Sequence, residues 1–341
     1  MKRMASLGIV VALAAFAPRA AAQREDPHAH HGGQHRVATQ ATLKVERPPM
    51  GSLLTLRIGP LNLPANSDHM AVAQPADTYW EVPFDGWLAA YHPRTVNEKG
   101  EAIPGKVLHH VAFWNTSRSD FLCPNKEEHI FGAGGEMNDW PEIPGFGYRV
   151  AKGDRIRINS MWHNPTAESY PRAYLDVIVE YQPDGAGAPR KSVYPTWFDV
   201  KECGNSGYNL SPGRNVTTGV FTLGYTGTLL GVGGHLHDYG LGLVLENAAR
   251  NEAIATLDST LDSGGRIQSM PVVTFSDRGG YRLNQGEKIR VTATYDNRTG
   301  KPLPEGAMGI VVGYFLPDND AQMAALKRKP QETKAAAGHS H

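Results

Sequence analysis

The chain has 341 residues, with 34 Lys and Arg against 34 Asp and Glu, so its formal charge is zero. That balance removes the electrostatic case for binding nucleic acid or an acidic membrane surface. A hydrophobic content of 40% with 37 Gly and 24 Pro describes a turn-rich folded protein built of strands rather than helices.

In chain order, Lys2 and Arg3 precede a short apolar core, LGIVVALAAF, and then the small residues AAA before Gln23. The core is too short to span a bilayer. The three elements in this order predict a secretory signal over residues 1–22 and export to the periplasm or beyond. No later stretch is long and apolar enough for a membrane span. Residues 23–45 contain HAHHGGQH and predict a disordered His-rich leader, either a loose metal holder or a solvated tail. Short apolar or alternating runs follow: SLLTLRIG (52–59), GWLAAYH (86–92), VLHHVAFWN (107–115), DRIRINSMWHN (154–164) and AYLDVIVEY (173–181). The Pro/Gly/Ala stretch QPDGAGAPRK (182–191) predicts a boundary between a domain over 46–184 and another over 190–318. Strand-like runs resume beyond it with no helical period between them. The expected fold is all-β, two antiparallel jelly-roll-like β-sandwich domains in tandem. Residues 319–341 predict a disordered tail. Cys123 and Cys203 lie in different halves. In an oxidising compartment they either pair and pin the halves together or remain separate thiols.

Three places carry metal-type side chains. His109 and His110 are adjacent, so a regular strand points them to opposite faces, and both reach one ion only if the strand bulges or ends there. Otherwise one is a ligand and one packs. His163 lies near the end of another predicted strand. In GVGGHLHDYGLGL (231–243), His235 and His237 share a strand face. Met308 sits on a later predicted strand. It is either a filler of core space or a thioether ligand, which is a poor partner for zinc but a good one for Cu(I).

These residues, in this order, resemble the copper type II, ascorbate-dependent monooxygenases, the family of peptidylglycine α-hydroxylating monooxygenase and dopamine β-monooxygenase. The resemblance rests on His109-His110, His163, His235-Leu236-His237 and Met308. HHVAFWN, PGFGYRV (144–150), GEKIRVTATYDN and AMGIVVGYFLP are similar to family segments in character, and the likeness spans about residues 50–317. It implies two sandwiches facing a solvent-filled cleft with one copper ion on each. The three-His copper, on His109, His110 and His163, would store an electron. The copper on His235, His237 and Met308 would bind O2 and act on a substrate C–H bond. Ascorbate or a similar reductant would reload both.

The departures concern substrate. The peptide-hydroxylating branch has an Arg two residues before His-x-His, where this chain has Gly233, and an Asn and a Tyr after the Met, where it has Ile310 and Val312. A guanidinium clamp has no apolar substitute, so C-terminal glycine peptides are excluded as the expected substrate. A Gln two before the single His is Met161 here. Gly231, Gly233 and Gly234 form either an open floor beside the second copper or a site of close strand packing. Trp114, Trp140 and Trp162 either line a pocket or belong to the core. The expected activity is hydroxylation of an unknown small organic or peptide-like substrate with O2. The rival is a non-catalytic exported copper-binding protein of the same architecture. A zinc hydrolase lacks a carboxylate at a recognisable general-base spacing.

Overall fold

The structure, a computed structural model, describes residues 37–38, 41–47, 52–136, 139–323 and 326. The expected signal segment, residues 23–36 of the leader and residues 327–341 of the tail lie outside the described residues. The leader's last residues do not stay loose. Thr42–Glu46 is a strand that pairs antiparallel with Leu53–Leu63.

Period-two burial explains the strands. Along Leu53–Leu63, Leu54, Leu56 and Ile58 turn inward, while along Lys288–Asn297 the buried set is Ile289, Val291, Ala293, Tyr295 and Asn297. The fold is all-β, two sandwiches in tandem. Thr78–Glu81, Arg155–Trp162, Leu108–Ser119 and Glu127–Gly134 make one four-stranded sheet. Gly213–Thr222, Lys288–Asn297, Gly240–Asn247 and Glu252–Asp258 make a second. Both pack against a single ten-stranded sheet that runs through the two halves.

The halves are fused at that long sheet. Phe146–Val150 of the first half pairs parallel with Lys191–Asp199 of the second, with Val193 opposite Tyr148. The cores also exchange residues. Leu230 and Tyr314 pack into the first core, whereas Phe121 and Cys123 pack into the second, where Phe121 stacks on Phe315 at 5.3 Å. Cys123 and Cys203 form a disulfide with Cα atoms 5.6 Å apart, which resolves the alternative the sequence leaves open. A sheet, two interleaved cores and a covalent bridge therefore hold one half against the other.

Candidate metal centre

The first half delivers its histidines through a backbone irregularity. On Leu108–Ser119, His110 pairs with Met161, and the next partner, Trp162, pairs with Leu108. His109 is thus the extra residue of a bulge, the condition under which two adjacent imidazoles can face one space. The edge beyond is held by a side chain. The Gln74 amide donates to the Trp162 carbonyl and accepts from the Trp162 N–H, both at 2.8 Å, in place of a strand neighbour. His163 follows directly, its N–H bonded to the Val107 carbonyl at 3.1 Å.

The second half delivers its residues from the end of a ladder. On Gly227–Leu236 and Gly309–Pro317, His235 pairs with Ile310 and Leu236 with Gly309. One step further, where the ladder stops, His237 and Met308 stand in register. The buried Tyr295 hydroxyl takes over there. It accepts from the His237 N–H at 2.9 Å and the Met308 N–H at 3.2 Å, and donates to the Met308 carbonyl. A single phenol closes the last rung.

Across the seam the two sets meet. The ring centroids of His109 and His237 are 4.5 Å apart, and His109 stacks on His163 at 5.1 Å. Ligand nitrogens of His109, His110 and His237 all lie within 4.8 Å of one another. The resemblance implies two trios separated by a solvent-filled cleft. Here imidazoles of both trios stand in ring contact as one cluster, and a cleft lined by residues of both halves opens beside it.

Burial, then the neighbouring His163 and His69, holds the His109 imidazole well below its usual range. Burial, then His109, His235 and His110, does the same for His237, and burial also lowers His163. His235 moves the other way. Burial opposes its charge, but the Glu136 carboxylate prevails and raises it. Glu136 Oε1 lies 2.6 Å from His235 Nδ1 and accepts the Gly134 N–H at 3.0 Å. A proton held on Nδ1 leaves Nε2 as the lone-pair nitrogen. Gly134 permits this approach, since a Cβ there would sit 2.6 Å from Glu136 Oε2 and 2.8 Å from His235 Cε1.

Two cavities border the cluster and share no lining residue. A polar cleft of about 280 Å³ is walled by His69, His109, His163 and His237, with Lys106 and Arg266 on its rim. A small apolar-walled pocket of about 20 Å³ holds Met308 with His110, His235, Val111, Ala133 and Trp197. Met308 is buried and also packs against Trp197 and Ile310. The glycines do not make an open floor. A Cβ on Gly233 would strike Trp140 at 2.6 Å, and one on Gly234 would strike Met270 at 2.5 Å, so close packing is their role. Trp114 and Trp162 are core residues, and Trp140 is buried against Tyr314.

The donor set fits a metal that takes nitrogen ligands. Imidazoles converge, with burial favouring the neutral form of His109, His163 and His237, and His235 Nε2 and His237 Nε2 are buried without a hydrogen-bond partner among the described residues. Leaving such nitrogens unpaired costs about 1–3 kcal/mol each, which coordination would offset. A thioether beside them suits a soft ion. Sequence reasoning missed three residues. His69, in a loop, reaches within 5.4 Å of His109. Glu136 lies 99 positions from His235, and no spacing rule connects them. Tyr295 reads as one more inward strand residue. Asp238, next to His237 in sequence, accepts from Arg266 at 2.7 Å and the Ile267 N–H at 3.0 Å.

No family model matches the chain. It is 24% identical over 239 residues to a protein of a Phoma species named "Probable copper-dependent oxygenase", and 25% identical over 241 residues to one so named from Cochliobolus lunatus. Each alignment covers 63% of this chain, with 59% of the Phoma protein and 74% of the Cochliobolus one, so the chain spans about three-fifths of the former's length. Among solved structures, the major capsid protein P2 of bacteriophage PM2 aligns at 12% identity and a TM-score of 0.32, over 77% of this chain and 98% of that one.

Proposed function

We propose that this chain is an exported copper-dependent monooxygenase that hydroxylates a C–H bond of an organic substrate with O2 and a small reductant such as ascorbate. The observation that carries the reading is the convergence of His109, His110 and His237 within 4.8 Å, from both sandwiches. The copper-dependent oxygenases it aligns with support the choice of metal. The Cys123–Cys203 bridge supports an oxidising compartment, and with it the export segment.

His109, His110 and His237 would hold copper, with His163, His235 and Met308 in the adjoining shell or on a second ion. Copper bound there supplies one-electron storage and O2 activation. The chain's own residues set the conditions. Glu136 keeps the proton of His235 on Nδ1. Tyr295 fixes the distance between the backbones that carry His237 and Met308. The apolar pocket around Met308 excludes water, which needs several polar partners to be held. The polar cleft on the other wall admits the organic substrate.

Elemental analysis of the mature chain should find copper, one or two ions per chain, and His237→Ala should remove at least one. With ascorbate, an oxygen electrode should record uptake stimulated by a substrate, and Met308→Ile should abolish that uptake. Stoichiometric copper with no oxygen consumption under any reductant would select the non-catalytic copper-binding protein instead. A chain that takes up no copper would end both readings.

A further inference from the structure

The polar cleft carries more than imidazoles. Its rim holds Lys106, Arg266, Asp238 and Glu305. Asp238 is committed, since it accepts from both Arg266 and the Ile267 N–H. Arg266 spends one Nη1 donor on that pair and is close enough to influence the charge of the His163 ring. A guanidinium has five N–H donors in a fixed fork, so several remain for another acceptor. The Lys106 ammonium makes no hydrogen bond or ion pair among the described residues. It stands beside the histidine cluster, because its backbone partners the His163 ring.

Glu305 is the complementary oddity. Its Oε2 is buried without a partner among the described residues, an expensive state for a carboxylate. Its backbone has φ +51°, a left-handed conformation rarely adopted outside glycine, held by a bond from its N–H to Asn209 Oδ1 at 3.1 Å. Backbone strain of this kind persists only where the surroundings over-determine it, and it gathers at ligand sites. Between the imidazoles and the charged groups the wall also carries apolar side chains, among them Leu108, Leu236, Ile267 and Leu303.

We propose that this cleft binds a small organic acid that also carries a hydrogen-bond donor, with its carboxylate on Lys106 and Arg266 and its hydroxyl or amino group on Glu305. The inference names the substrate class of the proposed oxygenase and rests on that reading for its catalytic meaning, but the binding site itself does not require copper. The cleft's volume suits a molecule of modest size with an apolar body. Lys106 and Arg266 line the same cleft as His109 and His163, so a carboxylate would approach the cluster from the side of those two rings.

Calorimetry on the full chain, metal-free and copper-loaded, tests this with three probes: 3-phenyllactate, phenylacetate, which lacks the donor, and 2-phenylethanol, which lacks the carboxylate. The expected order of affinity is 3-phenyllactate, then phenylacetate, then 2-phenylethanol. Lys106→Met should weaken both acids at least tenfold and leave 2-phenylethanol unchanged. Glu305→Gln should reduce the advantage of 3-phenyllactate over phenylacetate. Equal binding of all three probes, acid binding indifferent to Lys106→Met, or no binding at millimolar concentration would overturn the proposal. A circular dichroism spectrum matching the parent confirms that each variant is folded. Binding to the metal-free chain without copper uptake would leave this site standing while removing the oxygenase reading.

Discussion

The two halves bring their metal-type residues to the same place by opposite means. The first half uses an irregularity inside a strand. The bulge at His109 turns two neighbours toward one space, and the surrounding sheet holds it. The second half uses the end of a ladder, where His237 and Met308 are left in register without a further rung and Tyr295 supplies the missing bonds. The first arrangement is set by packing within its own four-stranded sheet and the second by one hydroxyl. Rigidity and site geometry should therefore separate experimentally in one half and coincide in the other.

The largest effect should come from the first half, far from the site. Asp176 is fully buried and accepts both arms of Arg57, at 2.6 and 2.8 Å, with Arg94 at 3.3 Å. Asp176→Ala strands a partly buried guanidinium and should cost about 3–5 kcal/mol, read as a lower urea midpoint. Copper affinity of the folded fraction should not change, and a parallel loss of affinity would show that the bulge is not locally held. Next, Gly134→Val forces a side chain into the space shared by Glu136, His235 and the His109 carbonyl, all within 3 Å of its Cβ. Overpacking there should cost about 1–3 kcal/mol and, unlike Asp176→Ala, lower copper affinity as well.

Tyr295→Phe is the matching test for the second half. It removes one oxygen and leaves three backbone groups at a buried ladder end without their partner. The expected stability loss is about 1–3 kcal/mol. Cu(I) competition should show weaker binding, because the segments carrying His237 and Met308 lose their common anchor. Unchanged Cu(I) affinity in a folded variant would mean that the ladder alone sets the spacing, and the contrast between the halves would fall.

Much of the fold was legible because alternation at period two is a local property. Leu54, Leu56 and Ile58 announce their strand without reference to a partner. The condition on His109 and His110 was legible too, since adjacent residues on a strand cannot share a face without a bulge. The contact between the trios was not. It depends on Phe146–Val150 pairing with Lys191–Asp199 and on which core takes Phe121, and these are choices between distant segments that composition does not record. Glu136 and His69 were hidden for the same reason. Each meets its histidine through the closure of a sheet or a loop, not through a motif.

The interiors of the halves offer a last and smaller contrast. The first buries a polar network in which Tyr148 donates to Glu128, Asn115 bonds Tyr148 and Asp154, and Arg118 lies 3.9 Å from Glu128. Burial pushes the Glu128 carboxyl up to about 7 from an ordinary 4.5, against the pull of Arg118 and Tyr148. The folded chain then holds a proton that the unfolded chain releases. Stability from this group is complete below pH 4.5 and is lost as pH rises through 7. Between pH 6 and pH 8 the loss should be about 1 kcal/mol, and Glu128→Gln, neutral throughout, should flatten that slope in urea titrations. A slope that survives the substitution would place the titrating group elsewhere, with buried Asp199 of the second half, also raised by its burial, as the next residue to replace.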